Sequence, residues 1–226
     1  MKNITFALLL MANLILIGCG ETSTTTNQDD TITSTESRRV ACVGDSITQG
    51  VGTSNPAKFS YPSQLAKALG TGWTIGNFGK SRSTLIETGD YPYTHTIEFI
   101  SSQDFNPNIV VIMLGTNDLK FTNIAEIDRY ISDYTALINT YKNLVNKPKI
   151  YVAYPTPSYG NLAGITNDNI VNVLLPKIQV VSQTNNVGII NVYNALLNKK
   201  ELFPDTLHPN DEGAKIIADT VKKILN

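Results

Sequence analysis

Residues 40–52 read VACVGDSITQGVG. An apolar run of strand length stops at Gly44, and Asp45 and Ser46 follow at once. In open α/β sheets, ligands gather outside the carboxyl ends of the strands, so a hydroxyl placed there is well situated for chemistry. Gly44-Asp45-Ser46 would serve equally well as an ordinary polar turn. The remainder of the chain decides between the two, because a serine nucleophile needs a base, an orienting carboxylate and donors for an oxyanion.

Working outward from that stretch, strand-like and helix-like patterns alternate. Residues 39–43, 73–78, 108–114, 150–153 and 187–192 read as strands. The third, NIVVIML, is continuously apolar, as expected of a strand covered on both faces. Residues 61–69, 94–102, 124–145 and 166–184 read as helices, and 211–225 as a closing helix. Over 124–145 the apolar residues Ile127, Ile131, Tyr134, Ile138, Tyr141 and Val145 recur at helical spacing. Pro176 should kink or split the helix that contains it, since it lacks an N–H and its ring crowds the preceding turn. The alternation predicts an α/β fold, a three-layer α/β/α sandwich around a flavodoxin-like five-stranded parallel sheet.

Composition narrows the possible partners. A chain of 226 residues is long enough for one sizeable core. Its formal net charge is -1 and its Lys and Arg are scattered, which argues against nucleic acid, whose binding needs a concentrated basic face. Lys2 precedes an apolar run over 6–17 that is too short for the ~20 residues of a spanning helix and reads as a secretory segment. Leu16-Ile17-Gly18-Cys19 looks like a bacterial lipobox, which implies cleavage before Cys19 and a lipid on its thiol; an ordinary signal peptide is the alternative. Residues 1–18 are thus expected to be a lipoprotein signal peptide and 19–37, rich in Thr and Ser, a flexible tether. The domain follows over 38–226, in a protein of the bacterial cell envelope held at the membrane through Cys19. Cys42, mid-strand, is expected to be a buried free thiol.

The polar residues that follow the strands form a set. Ser46 comes after the first strand, Asn77 and Gly79 after the second, and Gly115-Thr116-Asn117-Asp118 after the third. Asp205-Thr206-Leu207-His208-Pro209 lies after the fifth and before the last helix. Parallel topology brings all of them to one sheet edge. Of the 2 histidines, His208 has a carboxylate three residues earlier, close enough to hold its Nδ1, whereas His95 lies in YPYTHT without such a partner. A turn and helix cap would also explain PDTLHPNDEG, although Asn210 or Asp211 can cap that helix alone. Asp45 and Asp118 are expected to brace loops through backbone hydrogen bonds.

With its GDSIT (44–48), Gly79, GTND (115–118) and Asp-x-x-His-Pro (205–209) in this order, the sequence resembles the SGNH hydrolases, the GDSL-type esterase superfamily, over nearly all of 40–226. The resemblance implies a Ser46, His208 and Asp205 triad. It further implies an oxyanion hole made by the backbone N–H of Ser46, the backbone N–H of Gly79 and the side-chain amide of Asn117. Relatives usually read Gly-x-Ser-Gly where this chain has Gly79-Lys80-Ser81-Arg82. Arg82 either points to solvent or, with Lys80, adds positive charge that would favour an acidic sugar.

Among the superfamily, GDYPY, VVIMLGTND and LFPDTLHPNDEG most resemble the sialate O-acetylesterase-like and carbohydrate acetylesterase branch. That implies removal of acetyl groups from carbohydrate without metal or organic cofactor. Tyr154 and Tyr159 lie in a loop of aromatic and hydroxyl groups after the fourth strand, a candidate sugar platform or simply surface packing. A lysophospholipase or thioesterase of the same superfamily, and a non-catalytic glycan-binding lipoprotein, are the alternatives.

Overall fold

A computed structural model of the chain describes residues 37–225. The signal peptide expected over 1–18, the lipidated Cys19 and all but the last residue of the tether lie outside the described residues. Among those described, five strands pair in parallel in the order β2-β1-β3-β4-β5. They are β1 (Arg38–Gly44), β2 (Trp73–Gly79), β3 (Ile109–Met113), β4 (Lys149–Tyr154) and β5 (Gly188–Asn191). This is the flavodoxin-like sheet expected from the sequence.

Alternation along β1 shows how the layers form. Successive side chains of a strand point to opposite faces. Ala41 and Val43 join one apolar cluster with the helices α5 (Tyr130–Lys142) and α7 (Leu175–Asn185). Val40 and Cys42 join the other, with α3 (Tyr61–Leu69) and α9 (Asp211–Leu225). Both faces are therefore covered, which explains why β3 and the buried part of β1, Val40–Val43, are continuously apolar rather than alternating. Cys42 is fully buried, and burial pushes its thiol up to about 12.

Local chemistry sets where the helices begin and end. The helix expected over 94–102 starts instead at α4 (Ile97–Asp104), where the Thr96 hydroxyl accepts the Phe99 N–H at 3.2 Å as an N-cap. Residues Ile124–Arg129 form a 3₁₀ segment, and the α-helical hydrogen bonds run only through α5, so Val145 lies beyond the helix and is exposed. At Pro176 the helix changes type rather than stopping: α6 (Asn167–Asn169) leads into a π turn over Ile170–Leu174 and directly into α7, which carries the proline in its first turn.

Three short helices escaped the sequence pattern: α1 (Ser46–Gln49), α2 (Pro56–Phe59) and α8 (Val192–Leu196). Each is too brief to show periodicity. The chain leaves β1 towards β2 on one side and later crosses to β3 on the other. This topological switch opens a crevice at the carboxyl ends of β1 and β3.

Candidate active site

Ser46 opens α1 immediately beyond β1. Asp45 caps that helix, its Oδ1 accepting the Ile47 N–H at 3.0 Å. Ser46 Oγ lies 2.8 Å from His208 Nε2. On the far side of the ring, His208 Nδ1 lies 2.6 Å from Asp205 Oδ2. The network is satisfied when Nδ1–H donates to the carboxylate and Nε2 accepts from the serine hydroxyl. In that tautomer the imidazole is ready to take the Ser46 proton.

The i, i+3 spacing of Asp205 and His208 is held by the main chain. Asp205 Oδ1 accepts the backbone N–H of His208 at 2.7 Å and of Leu207 at 3.0 Å. Partial burial would raise the Asp205 carboxyl, but the His208 ring and these two N–H donors outweigh it and hold it below the usual carboxylate range. The last helix begins after this turn without using Asp205: Asn210 Oδ1 accepts the Gly213 N–H at 3.0 Å, while Asp211 binds the Ser54 N–H and hydroxyl.

Asn117 lies on a 3₁₀ turn (Thr116–Leu119) that follows β3. Its Nδ2 donates to Asp45 Oδ2 at 3.3 Å, leaving a second amide hydrogen available. Burial pushes the Asp45 carboxyl up to about 6, against the opposing pull of the Ile47 N–H and the nearby His208 and Lys120. Asp118 is wholly buried and accepts the N–H groups of Leu85 at 3.0 Å and Ile86 at 2.7 Å, so it fastens the loop after β2 to the loop after β3. Burial is also the main influence on its carboxyl, which rises to about 7.

The structure corrects the sequence reading of Gly79. Its N–H donates to Asn77 Oδ1 at 3.0 Å, and a Cβ there would fall 2.1 Å from the Gln49 nitrogen. This glycine is needed for the close approach of β2 to α1. It does not line the cavity that Ser46, Asn117 and His208 share, whose volume is about 420 Å³. Arg82 does line it. The backbone of Arg82 is left-handed, with φ 73°, and among the described residues its N–H makes no hydrogen bond. The guanidinium lies 4.4 Å from the centre of the Tyr91 ring.

Two further expectations are corrected. Tyr154 and Tyr159 lie away from this cavity: Tyr154 donates to Gln179 Oε1, and Tyr159 donates to the Leu196 carbonyl while packing on Phe203. Both act as braces. His95 does have a carboxylate neighbour, Glu87, at 2.5 Å, but the pair is exposed and remote from Ser46 in the hydrogen-bond network. Sequence reasoning missed Lys120, Phe121 and Leu162, which line the cavity together with Asp90. An aromatic residue placed just after GTND in a polar stretch, KFTN, was the available signal for Phe121. Among the described residues, no three His, Cys, Asp or Glu side chains converge as a bound metal would require.

A parallel sheet that presents Ser–His–Asp and an amide donor at one crevice has the form of an α/β serine hydrolase. Residues 42–216 match the GDSL-like Lipase/Acylhydrolase family, and the chain belongs to it. An acetylxylan esterase of Xylanibacter ruminicola is 32% identical over 201 residues, which cover 81% of this chain and 42% of that protein. The chain thus corresponds to about two fifths of that relative's length. A carbohydrate acetylesterase from Sinorhizobium meliloti shares the fold with a TM-score of 0.69 at 18% identity, over 83% of this chain and 98% of that one. The aryl esterase of M. smegmatis does so with a TM-score of 0.65 at 19% identity, over 83% and 98%.

Proposed function

We propose that the chain is a serine esterase that removes acetyl groups from O-acetylated carbohydrate. The hydrogen-bonded series Ser46–His208–Asp205 carries this reading. Ser46 Oγ attacks the acetyl carbonyl carbon as its proton passes to His208 Nε2. Asp205 holds the ring and stabilises the imidazolium. When the tetrahedral species collapses, its C–O bond to the sugar breaks and the imidazolium returns the proton to the departing sugar oxygen. A water activated by His208 then hydrolyses the acetyl-serine, releasing acetate and restoring Ser46.

The developing oxyanion would meet the backbone N–H of Ser46, which as the first residue of α1 has no intrahelical acceptor, and the free amide hydrogen of Asn117. The third donor on this reading is the N–H of Arg82 rather than that of Gly79. The acetyl preference draws on the named activity of the Xylanibacter ruminicola relative. The lipobox-like start of the chain adds the proposal of a cell-envelope lipoprotein anchored through Cys19.

Acetate release from a panel of acetylated glycans, measured beside 4-nitrophenyl esters of increasing chain length, tests the reading. The expectation is activity on acetyl esters that falls with chain length and disappears to background in Ser46→Ala, with the variant still folded. Rising activity with chain length would replace it with the lysophospholipase or thioesterase alternative. Glycan binding without any hydrolysis would leave a binding protein.

A further inference from the structure

We infer that Phe121 is a stacking platform for the sugar ring, the group by which this site distinguishes a glycan acetate from a simple acetate. This rests on the acetylesterase reading above and names how that site takes its substrate. Among the described residues, Phe121 is the one Phe, Tyr or Trp lining the cavity that contains Ser46 and His208. It is 73% exposed, although burying an aromatic side chain of this kind gains roughly 2 kcal/mol or more. An apolar ring left in water beside a nucleophile is surface available to a ligand.

The ring is held in place. Its backbone N–H donates to the Ala163 carbonyl at 2.9 Å, which fastens it to the turn at 162–165. The side chain rests on Gly164, where a Cβ would meet the ring at 2.8 Å and where φ is +98°. A glycine is required on both counts. With its backing fixed, the platform needs little ordering when a ligand arrives, which favours binding.

The surroundings select a sugar over an acyl chain. A pyranose has apolar C–H faces and a polar rim of hydroxyls, so it wants a flat apolar wall with hydrogen-bonding groups at the edge. Lys120, next in sequence to Phe121, and Asp90 form a 3.6 Å ion pair on the same cavity, and Thr122 follows. The wall beside Phe121 is apolar, with Leu162, Ala163, Ile165 and Leu207. It is therefore this polar edge that favours a sugar: a hydrocarbon tail reaching it would strip water from the pair without replacing its hydrogen bonds. A sugar's hydroxyls would replace the water. The cleft also continues: a second cavity of about 200 Å³, lined by Ser83 and Tyr91, shares Ser81 and Asp90 with the first. Among the described residues Ser83 Oγ is buried there with no hydrogen-bond partner.

The test compares kcat/KM for acetate release from an acetylated xylo-oligosaccharide with that from ethyl acetate, which has no ring to stack, in wild type, Phe121→Ala and Phe121→Tyr. Loss of a stacking contact predicts that Phe121→Ala loses about three- to tenfold more on the oligosaccharide than on ethyl acetate, mostly through KM. Phe121→Tyr, which keeps the ring, should restore the ratio. Equal losses on both substrates, a ratio unmoved by alanine, or failure of tyrosine to restore it would overturn the inference. If the wild type cleaves 4-nitrophenyl acetate but frees no acetate from any sugar, the acetylesterase reading falls and takes the platform with it.

Discussion

Arg82 occupies a backbone conformation that suits glycine, in a loop that borders the candidate site, and this sets up a quantitative comparison of Arg82→Gly with Arg82→Ala. The left-handed conformation at φ 73° costs a residue with a Cβ about 1–2 kcal/mol. Glycine escapes that cost but makes the unfolded chain more disordered, which returns about 0.4–1 kcal/mol. Both variants lose the stack of the guanidinium on Tyr91, worth about 0.5–1 kcal/mol at an exposed site. Alanine should therefore be less stable than wild type by about that stacking energy. Glycine should be more stable than alanine by about 1 kcal/mol, which is a difference of about 2–4 °C in Tm for a domain of this size. Urea and thermal unfolding of the three proteins measure the order directly. Hydrolysis of 4-nitrophenyl acetate should survive in both variants, because the proposed oxyanion donor is main chain. An alanine variant as stable as the glycine variant would refute the strained conformation. Loss of aryl acetate hydrolysis in both variants, with folding intact, would refute the assignment of the N–H, since both keep it and lack only the side chain.

The buried Asp45 gives a stability prediction with a definite sign. Its carboxyl rises from an ordinary 3.8 to about 6 through burial, so the folded protein holds this proton more tightly than the unfolded chain. The stabilisation is complete below about pH 3.8 and is lost as pH rises through about 6, by about 3 kcal/mol at most. The stability of wild type relative to Asp45→Asn, from urea unfolding at several pH values, should decline between pH 4 and 7; a rise would contradict it. For the anchor, Cys19→Ala should move the protein from the membrane fraction to the soluble fraction of the expressing cells. Retention in the membrane would show that Cys19 carries no anchor.

The sequence was most legible where one physical requirement dominated. α3 and α9 have the boundaries that their periodicity announces, and β1 and β3 announce a sheet buried on both faces. The meeting of Ser46, Asp205 and His208 followed from parallel topology, which sends every strand end to one edge. Gly79 was misread because a glycine can mean close approach to a ligand or close approach to a helix, and the letter does not say which. The Gln49 backbone decided it here. Arg82 was opaque for the opposite reason: its left-handed φ is imposed by the fold on a residue that does not prefer it. Tyr154 and Tyr159 looked like ligand groups because loops carry function, but their hydroxyls are taken up by Gln179 and Leu196. Phe121 leaves a faint trace in the sequence, an aromatic in the polar KFTN, and becomes informative through its exposure, which is a property of the folded surface.

Ser46 and His208 are 162 positions apart in the chain and 2.8 Å apart in space. Synthesis proceeds from the N-terminus, so the serine, its strand and most of the sheet are made long before the histidine exists. A partly made or truncated chain could gather much of the apolar core and still have nothing to draw the proton from Ser46. Hydrolysis would begin only once the segment through Pro209 has docked against the first strand's end. In this architecture the onset of turnover would be a clock for a late long-range contact of folding, readable with nothing more than a chromogenic ester.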